Sequence, residues 1–192
     1  MKLLSTTFGS RSRRTPRPST AKRLLIPEIL FPEEHAELLR WATESSAQLK
    51  QVAPGRYAAP MAHLKRPDVC RRVRLRIQEQ LDLDLVATPS GALGLYLSVL
   101  SENGTVLPFI EPASDGMKYI RCVLLLQAAT SGGQSFVGNG VVPMNERDLL
   151  IFCSSTFHQG VTVVEGRVPR ISLELGYEVS AAHVVPGLDQ LH

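Results

Sequence analysis

Asp148-Leu149-Leu150-Ile151-Phe152-Cys153, Ser154-Ser155-Thr156-Phe157-His158, Val161-Thr162-Val163-Val164-Glu165-Gly166 and Arg170-Ile171-Ser172-Leu173-Glu174-Leu175 follow one another in the last third of the chain. Three short apolar runs, divided by turn-forming residues, read as three strands with a tight turn at Glu165-Gly166. Side chains alternate faces along a strand, so Arg170 and Ser172 share one face while Ile171, Leu173 and Leu175 share the other. One face is suited to packing; the other holds a permanent cation beside a hydroxyl. A guanidinium inside a barrel needs an anion, and a carboxylate matches its fork of donors. His158 stands twelve residues before Arg170, and its imidazole is expected to face Arg170 across a shared interior.

Upstream, strand patterns cover Ala92–Val99, Tyr119–Gln127, Gln134–Val137, Val141–Val142, Asp148–Phe152, Val161–Val164 and Arg170–Val179. Glu102-Asn103-Gly104, Ser131-Gly132-Gly133 and Gly138-Asn139-Gly140 mark turns between them. Two helices precede this region. Pro32-Glu33-Glu34 opens the first, with proline in its first turn and acids at its positive end. Its apolar side holds Leu38, Leu39, Ala42 and Leu49, with Trp41 at an edge. The second starts near Pro67-Asp68 and buries Val69, Cys70, Val73, Ile77 and Leu81. Arg71, Arg72, Arg74 and Arg76 read as its solvated face. Leu24–Phe31 reads as a short strand or lead-in, and Pro54–Pro60 as a loop. The fold class is α+β, mainly β: a barrel or sandwich buttressed by two amphipathic helices.

With 192 residues, the chain reads as a tail (1–24) and one domain (25–192), helical over 25–88 and β over 89–180. The tail holds seven basic and no acidic residues. That leaves fourteen basic against eighteen acidic elsewhere, a net charge of −4 for the remainder. A mildly acidic body argues against nucleic-acid binding. The apolar runs are too short to span a membrane. Cys70, Cys122 and Cys153 lack metal-finger spacing and read as free thiols of a reducing compartment. A cytoplasmic location is expected, or an organellar one if the Ser- and Arg-rich tail is a transit peptide.

The strand region resembles the iron(II)- and 2-oxoglutarate-dependent oxygenases, the prolyl-hydroxylase-like members in particular. Their pattern is a His-x-Asp pair, a strand, a Gly-Gly turn, a distal His and, about ten residues later, Arg-x-Ser. Tyr119–Gln127, Gly132-Gly133, His158 and Arg170-Ile171-Ser172 follow that order, over roughly half the chain from Ala92 to Val179. The resemblance implies a double-stranded β-helix, or jelly roll. The place of His-x-Asp falls on Phe109-Ile110-Glu111. Glu111 supplies a carboxylate there, whereas Phe109 can ligate nothing.

On this resemblance, Glu111 and His158 would hold Fe(II). Arg170 and Ser172 would hold the far carboxylate of 2-oxoglutarate, and Arg121 would line the pocket or the barrel rim. The implied activity is oxidation of a small-molecule or peptide substrate. Three readings of the missing imidazole remain open. Water or another residue such as His63 fills the vacancy; the metal is lost while the pocket still takes a carboxylate; or the pair lies elsewhere, although no histidine stands two residues before Asp115. The second reading gives a metal-free barrel that binds a carboxylate or catalyses a non-redox cyclisation or isomerisation. Substrate choice would rest with the loops Val86–Ala92 and Val106–Met117.

Overall fold

The structure is a computed structural model that describes residues 23–84 and 94–188. The basic tail up to Lys22 and the Val86–Ala92 loop lie outside the described residues, as does the start of the Ala92–Val99 strand.

The described residues form two α-helices and eleven strands. They are β1 (Arg23–Ile26), α1 (Pro32–Ser45), β2 (Lys50–Ala53), β3 (Arg56–Pro60), α2 (Asp68–Gln80), β4 (Leu95–Leu100), β5 (Val106–Phe109), β6 (Met117–Gln127), β7 (Ser135–Val137), β8 (Gly140–Val142), β9 (Leu149–Cys153), β10 (Gln159–Val161) and β11 (Arg170–Ser180). They form a seven-stranded sheet, β1-β9-β6-β11-β4-β3-β2, and a four-stranded sheet, β5-β10-β7-β8. Every strand pair among the described residues is antiparallel. No helix among the described residues is long and apolar enough to cross a membrane.

The alternation in β11 sorts the molecule into layers. Ile171, Leu173 and Leu175 join Leu97, Ile120, Cys122 and Leu124 to form the apolar face of the large sheet. Both helices lie on it, α1 through Leu38, Trp41 and Ala42 and α2 through Val69, Val73 and Ile77. Each such side chain, fully buried, contributes about 1.5–3 kcal/mol. The Trp41 indole donates to the Lys65 carbonyl at 2.8 Å, so its polar edge is satisfied inside the helical layer. Glu34 joins the helices through Arg76, with contacts of 2.7 and 3.0 Å, and also accepts the Phe31 amide at 3.2 Å.

The opposite face of the large sheet looks towards the small sheet. Register puts Arg170, Leu100 and Arg56 in one row, Ser172, Ser98, Ala58 and Leu125 in the next, then Glu174 with Val123, and Gly176 with Arg121. Val123, Leu150 and Phe152 meet Val137 and Val142 across the gap. Leu100 meets Val106, Val161 and Val164. The interior is thus apolar at both flanks and ionic between.

Three sequence-based element assignments are corrected. Pro54–Pro60 belongs to a hairpin, β2–β3, because Gly55 turns at φ 64° and lets Arg56–Pro60 pair with β4. The Val106–Met117 loop contains β5, the edge strand of the small sheet. The strand placed at Val161–Val164 begins instead at Gln159 and ends at Val161.

Candidate functional site

The site is built from β5, β6, β10 and β11. β10 lies between β5 and β7 in the small sheet, with Gln159 opposite Phe109 and Val161 opposite Val106. Two residues on, the Glu111 amide donates to the Ser154 carbonyl at 3.0 Å, which fixes the chain as it leaves β5. Its carboxylate is buried, 1% exposed, and is met by Arg121 reaching over from β6. Arg121 Nε donates to Glu111 Oε2 at 3.0 Å, while its Nη2 pairs with Oε1, giving a bidentate bridge. Gln159 Nε2 donates to the same Oε2 at 2.9 Å. The far edge of the guanidinium, Nη1, lies 3.6 Å from Glu174 of β11.

Arg121 is 2% exposed. Burial alone would lower its pKa, but Glu174 and Glu111 together outweigh that cost and hold it above the ordinary arginine value. Gly176 makes room for this crossing: a Cβ there would come within 2.2 Å of the Tyr119 hydroxyl. The Tyr119 ring centroid lies 5.8 Å from the Arg121 guanidinium carbon.

Arg170 is equally buried, at 2% exposure, but its partners differ. Its Nη1 donates to Ser172 Oγ at 3.0 Å and its Nη2 to Ser135 Oγ at 2.9 Å. Among the described residues no carboxylate lies within ion-pair distance of it. Burial pulls its pKa below the ordinary arginine value, and Glu174 offsets part of that. Two of the buried polar atoms without a hydrogen-bond partner among the described residues share this face: Arg56 Nε in the same row and Ser98 Oγ in the next.

Two spaces touch Arg170. One, about 30 Å³, lies inside the barrel against Arg56, Phe109, Phe152, Gln159 and Glu174. That is room for a water or two, beside Phe109, Phe136 and Phe152, which line it. The other, about 390 Å³, is lined by Thr130, Ser131, Gly133, Gln134, Ser135 and Met144 together with Arg170. Gly132 and Gly133 adopt φ 67° and 61°, which is why this turn calls for glycine.

Of the residues singled out from sequence, the structure brings Glu111, Arg121, Arg170 and Ser172 into the interior. It does not bring His158. The imidazole is exposed, and only its backbone carbonyl is engaged, by the Gly138 amide at 2.7 Å. The expectation that it faces Arg170 is therefore corrected: β10 begins one residue later, and Gln159 is the side chain that enters. The run Val161-Thr162-Val163-Val164 hides this parity, because apolar residues fall on both faces. His63 is exposed in a 3-10 turn, Met61–His63, and Asp115 is exposed in a turn. Neither joins the cluster. Glu174, Ser135 and Arg56 were not legible as site residues. Glu174 is the one the sequence signals, since it shares the parity of Arg170 and Ser172.

An iron site does not fit these residues. The expected positions hold Phe109, Glu111 and an exposed His158, both oxygens of Glu111 are engaged by Arg121, and among the described residues no three His, Cys, Asp or Glu gather. A ferrous centre of this kind needs two imidazoles and a carboxylate on one face. Arg170 and Ser172, the pair expected to hold a carboxylate, stand side by side on β11 at 3.0 Å.

No family model matches the chain, and no curated protein matches it. Solved structures do. The non-heme alpha ketoglutarate dependent epimerase SnoN from nogalamycin biosynthesis is 16% identical with a TM-score of 0.64, over 84% of this chain and 79% of that one. A prolyl-4-hydroxylase from Pseudomonas putida is 16% identical with a TM-score of 0.61, over 85% and 95%. A prolyl hydroxylase from Trichoplax adhaerens, in complex with a hypoxia inducible factor peptide, is 13% identical with a TM-score of 0.63, over 84% of each. SnoN has also been solved with Fe3+ and alpha ketoglutarate. The fold is therefore the jelly roll of the 2-oxoglutarate-dependent oxygenases.

Proposed function

We propose that this chain binds a small carboxylic acid, 2-oxoglutarate or a dicarboxylate like it, through Arg170 and Ser172. The observation that carries this reading is a buried guanidinium answered by hydroxyls alone. Taking a cation out of water costs several kcal/mol unless an anion compensates. Arg121 has two carboxylates for that purpose; Arg170 has none in contact. Arg56, Arg121 and Arg170 stand against Glu111 and Glu174 on this face, which leaves one positive charge in excess.

The ligand enters by the pocket of about 390 Å³ beside the Gly132-Gly133 turn and lays one carboxylate along the Arg170 fork. Ser172 and Ser135 then share their Arg170 bonds with the ligand oxygens. The rest of the acid lies among Thr130, Ser131 and Gln134, whose polar groups suit a second carboxylate. The chemistry this supports is recognition, and any conversion would be non-redox, by enclosure and charge.

A second reading is favoured by the fold itself: an oxygenase that oxidises a small-molecule or peptide substrate. Peptide binding is seen in the Trichoplax enzyme, and SnoN acts in the biosynthesis of a small molecule. Iron, when bound in such a protein, supplies oxygen chemistry; here His158 would first have to turn inwards and Arg121 leave Glu111.

The test is thermal stability with 2-oxoglutarate in the presence of a chelator. A stabilising ligand at a hundred times its Kd adds about 2.7 kcal/mol, an easily read rise in Tm. Arg170→Ala should weaken binding by about 10- to 100-fold, the worth of one charge-assisted contact. No stabilisation by any of 2-oxoglutarate, succinate or glutarate would reject the carboxylate reading. Stabilisation that appears only with added iron, together with a coloured anaerobic complex, would establish the oxygenase instead.

A further inference from the structure

Two arginines, Arg56 and Arg170, border the space of about 30 Å³ inside the barrel. Among the described residues neither has a carboxylate within ion-pair distance. We infer that this space is a monatomic-anion site, in which a halide is held between the Arg56 and Arg170 guanidinium groups.

Unanswered donors are the starting point. Arg56 comes from β3 and Arg170 from β11, in one row of the large sheet with Leu100 of β4 between them. Arg56 Nε is buried and makes no hydrogen bond. An N–H taken out of water without an acceptor costs about 1–3 kcal/mol, and more on a cation. Arg170, 2% exposed, engages two of its five N–H groups, with Ser172 and Ser135. Ser98 Oγ, one row further along the same face, is another buried polar atom without a partner. The carboxylate on the wall of the space, Glu174, lies 3.6 Å from Arg121.

Charge and size then select the occupant. Arg56, Arg121 and Arg170 against Glu111 and Glu174 leave one positive charge, which a water cannot cancel and a monovalent anion can. A space of this volume admits a water or two. Carboxylate, phosphate and sulfate are too large for it, whereas chloride and bromide are close to water in size. A halide accepts N–H groups from any direction, so two guanidinium groups on separate strands can share it. Val106, Phe109 and Phe152 supply apolar wall, which lowers the local dielectric and strengthens the contact. One excess charge is balanced by one anion, so the halide answers Arg170 while no carboxylate does.

The test uses the full chain without 2-oxoglutarate. Crystals grown in bromide should show an anomalous peak in this space, in contact with both guanidinium groups. In solution, bromide should raise the Tm saturably above its value in methanesulfonate, a larger anion, at equal ionic strength. Arg56→Met should remove the peak and weaken the bromide effect by about 10- to 100-fold, the worth of one charge-assisted contact. A bromide crystal with only water in the space would overturn the inference. So would a Tm equal in the two salts, or a bromide effect that Arg56→Met leaves unchanged. If Arg56→Met does not fold, the wild-type bromide crystal decides alone. Because no organic acid is present, failure here leaves the carboxylate reading standing, and failure of 2-oxoglutarate to bind leaves the halide site standing.

Discussion

Arg121 and Arg170 stand on neighbouring strands, equally buried, and differ in what neutralises them. Arg121 is locked between carboxylates; Arg170 rests on two serine hydroxyls. The same residue type thus meets two surroundings, one of carboxylates and one of hydroxyls. Close approach explains a third residue, Gly176, where any Cβ would strike the Tyr119 ring. Gly176→Ala should destabilise the protein by about 1–3 kcal/mol, read as a lower urea midpoint, because ring and strand must part. A neutral substitution there would mean that Tyr119 is free to swing. Arg170 and Ser172 were legible from strand parity, and Glu111 from the resemblance to the oxygenase pattern. The inward choice between His158 and Gln159 was not, since a one-residue shift in the start of a three-residue strand exchanges them.

Among elements, the helices and long strands were readable because their patterns are long. α2 was placed by five apolar residues at helical spacing, and β6 and β11 by runs that no loop would tolerate. Short edge strands gave no such signal: β2 is mostly exposed, and β5 carries Leu107 at 75% exposure. The Glu34–Arg76 bridge ties α1 to α2, and its hydrogen bond to Arg76 holds the Glu34 carboxyl below the usual glutamate range. A depressed carboxyl stabilises the fold above its unfolded pKa and loses that contribution as pH falls through the folded one. Glu34→Gln should therefore lower the urea midpoint at pH 7, by about 1–3 kcal/mol of stability, and the gap from wild type should close below about pH 4. A gap that persists in acid would show that packing, and not charge, joins the helices.

At the scale of the whole molecule, one sheet separates an apolar layer from an ionic interior. Leu124, 0% exposed between the helices and β11, belongs to the first. Leu124→Ala should cost about 2–5 kcal/mol in denaturant unfolding while leaving 2-oxoglutarate affinity in the folded protein unchanged. A change in affinity would show that the two faces are coupled. The jelly roll was legible from the order of strand, Gly-Gly turn and Arg-x-Ser. The Arg121–Glu111 bridge was not, because the sequence places Arg121 at the pocket or the barrel rim and gives no sign that the chain leaving β5 brings Glu111 across to it. The measurement that bears on all of this at once is a crystal structure of the chain soaked with 2-oxoglutarate and Mn2+. A carboxylate on the Arg170 guanidinium, with Arg121 still paired to Glu111 and His158 outside, is the result predicted here. Mn2+ coordinated by Glu111 with His158 turned inwards would contradict it.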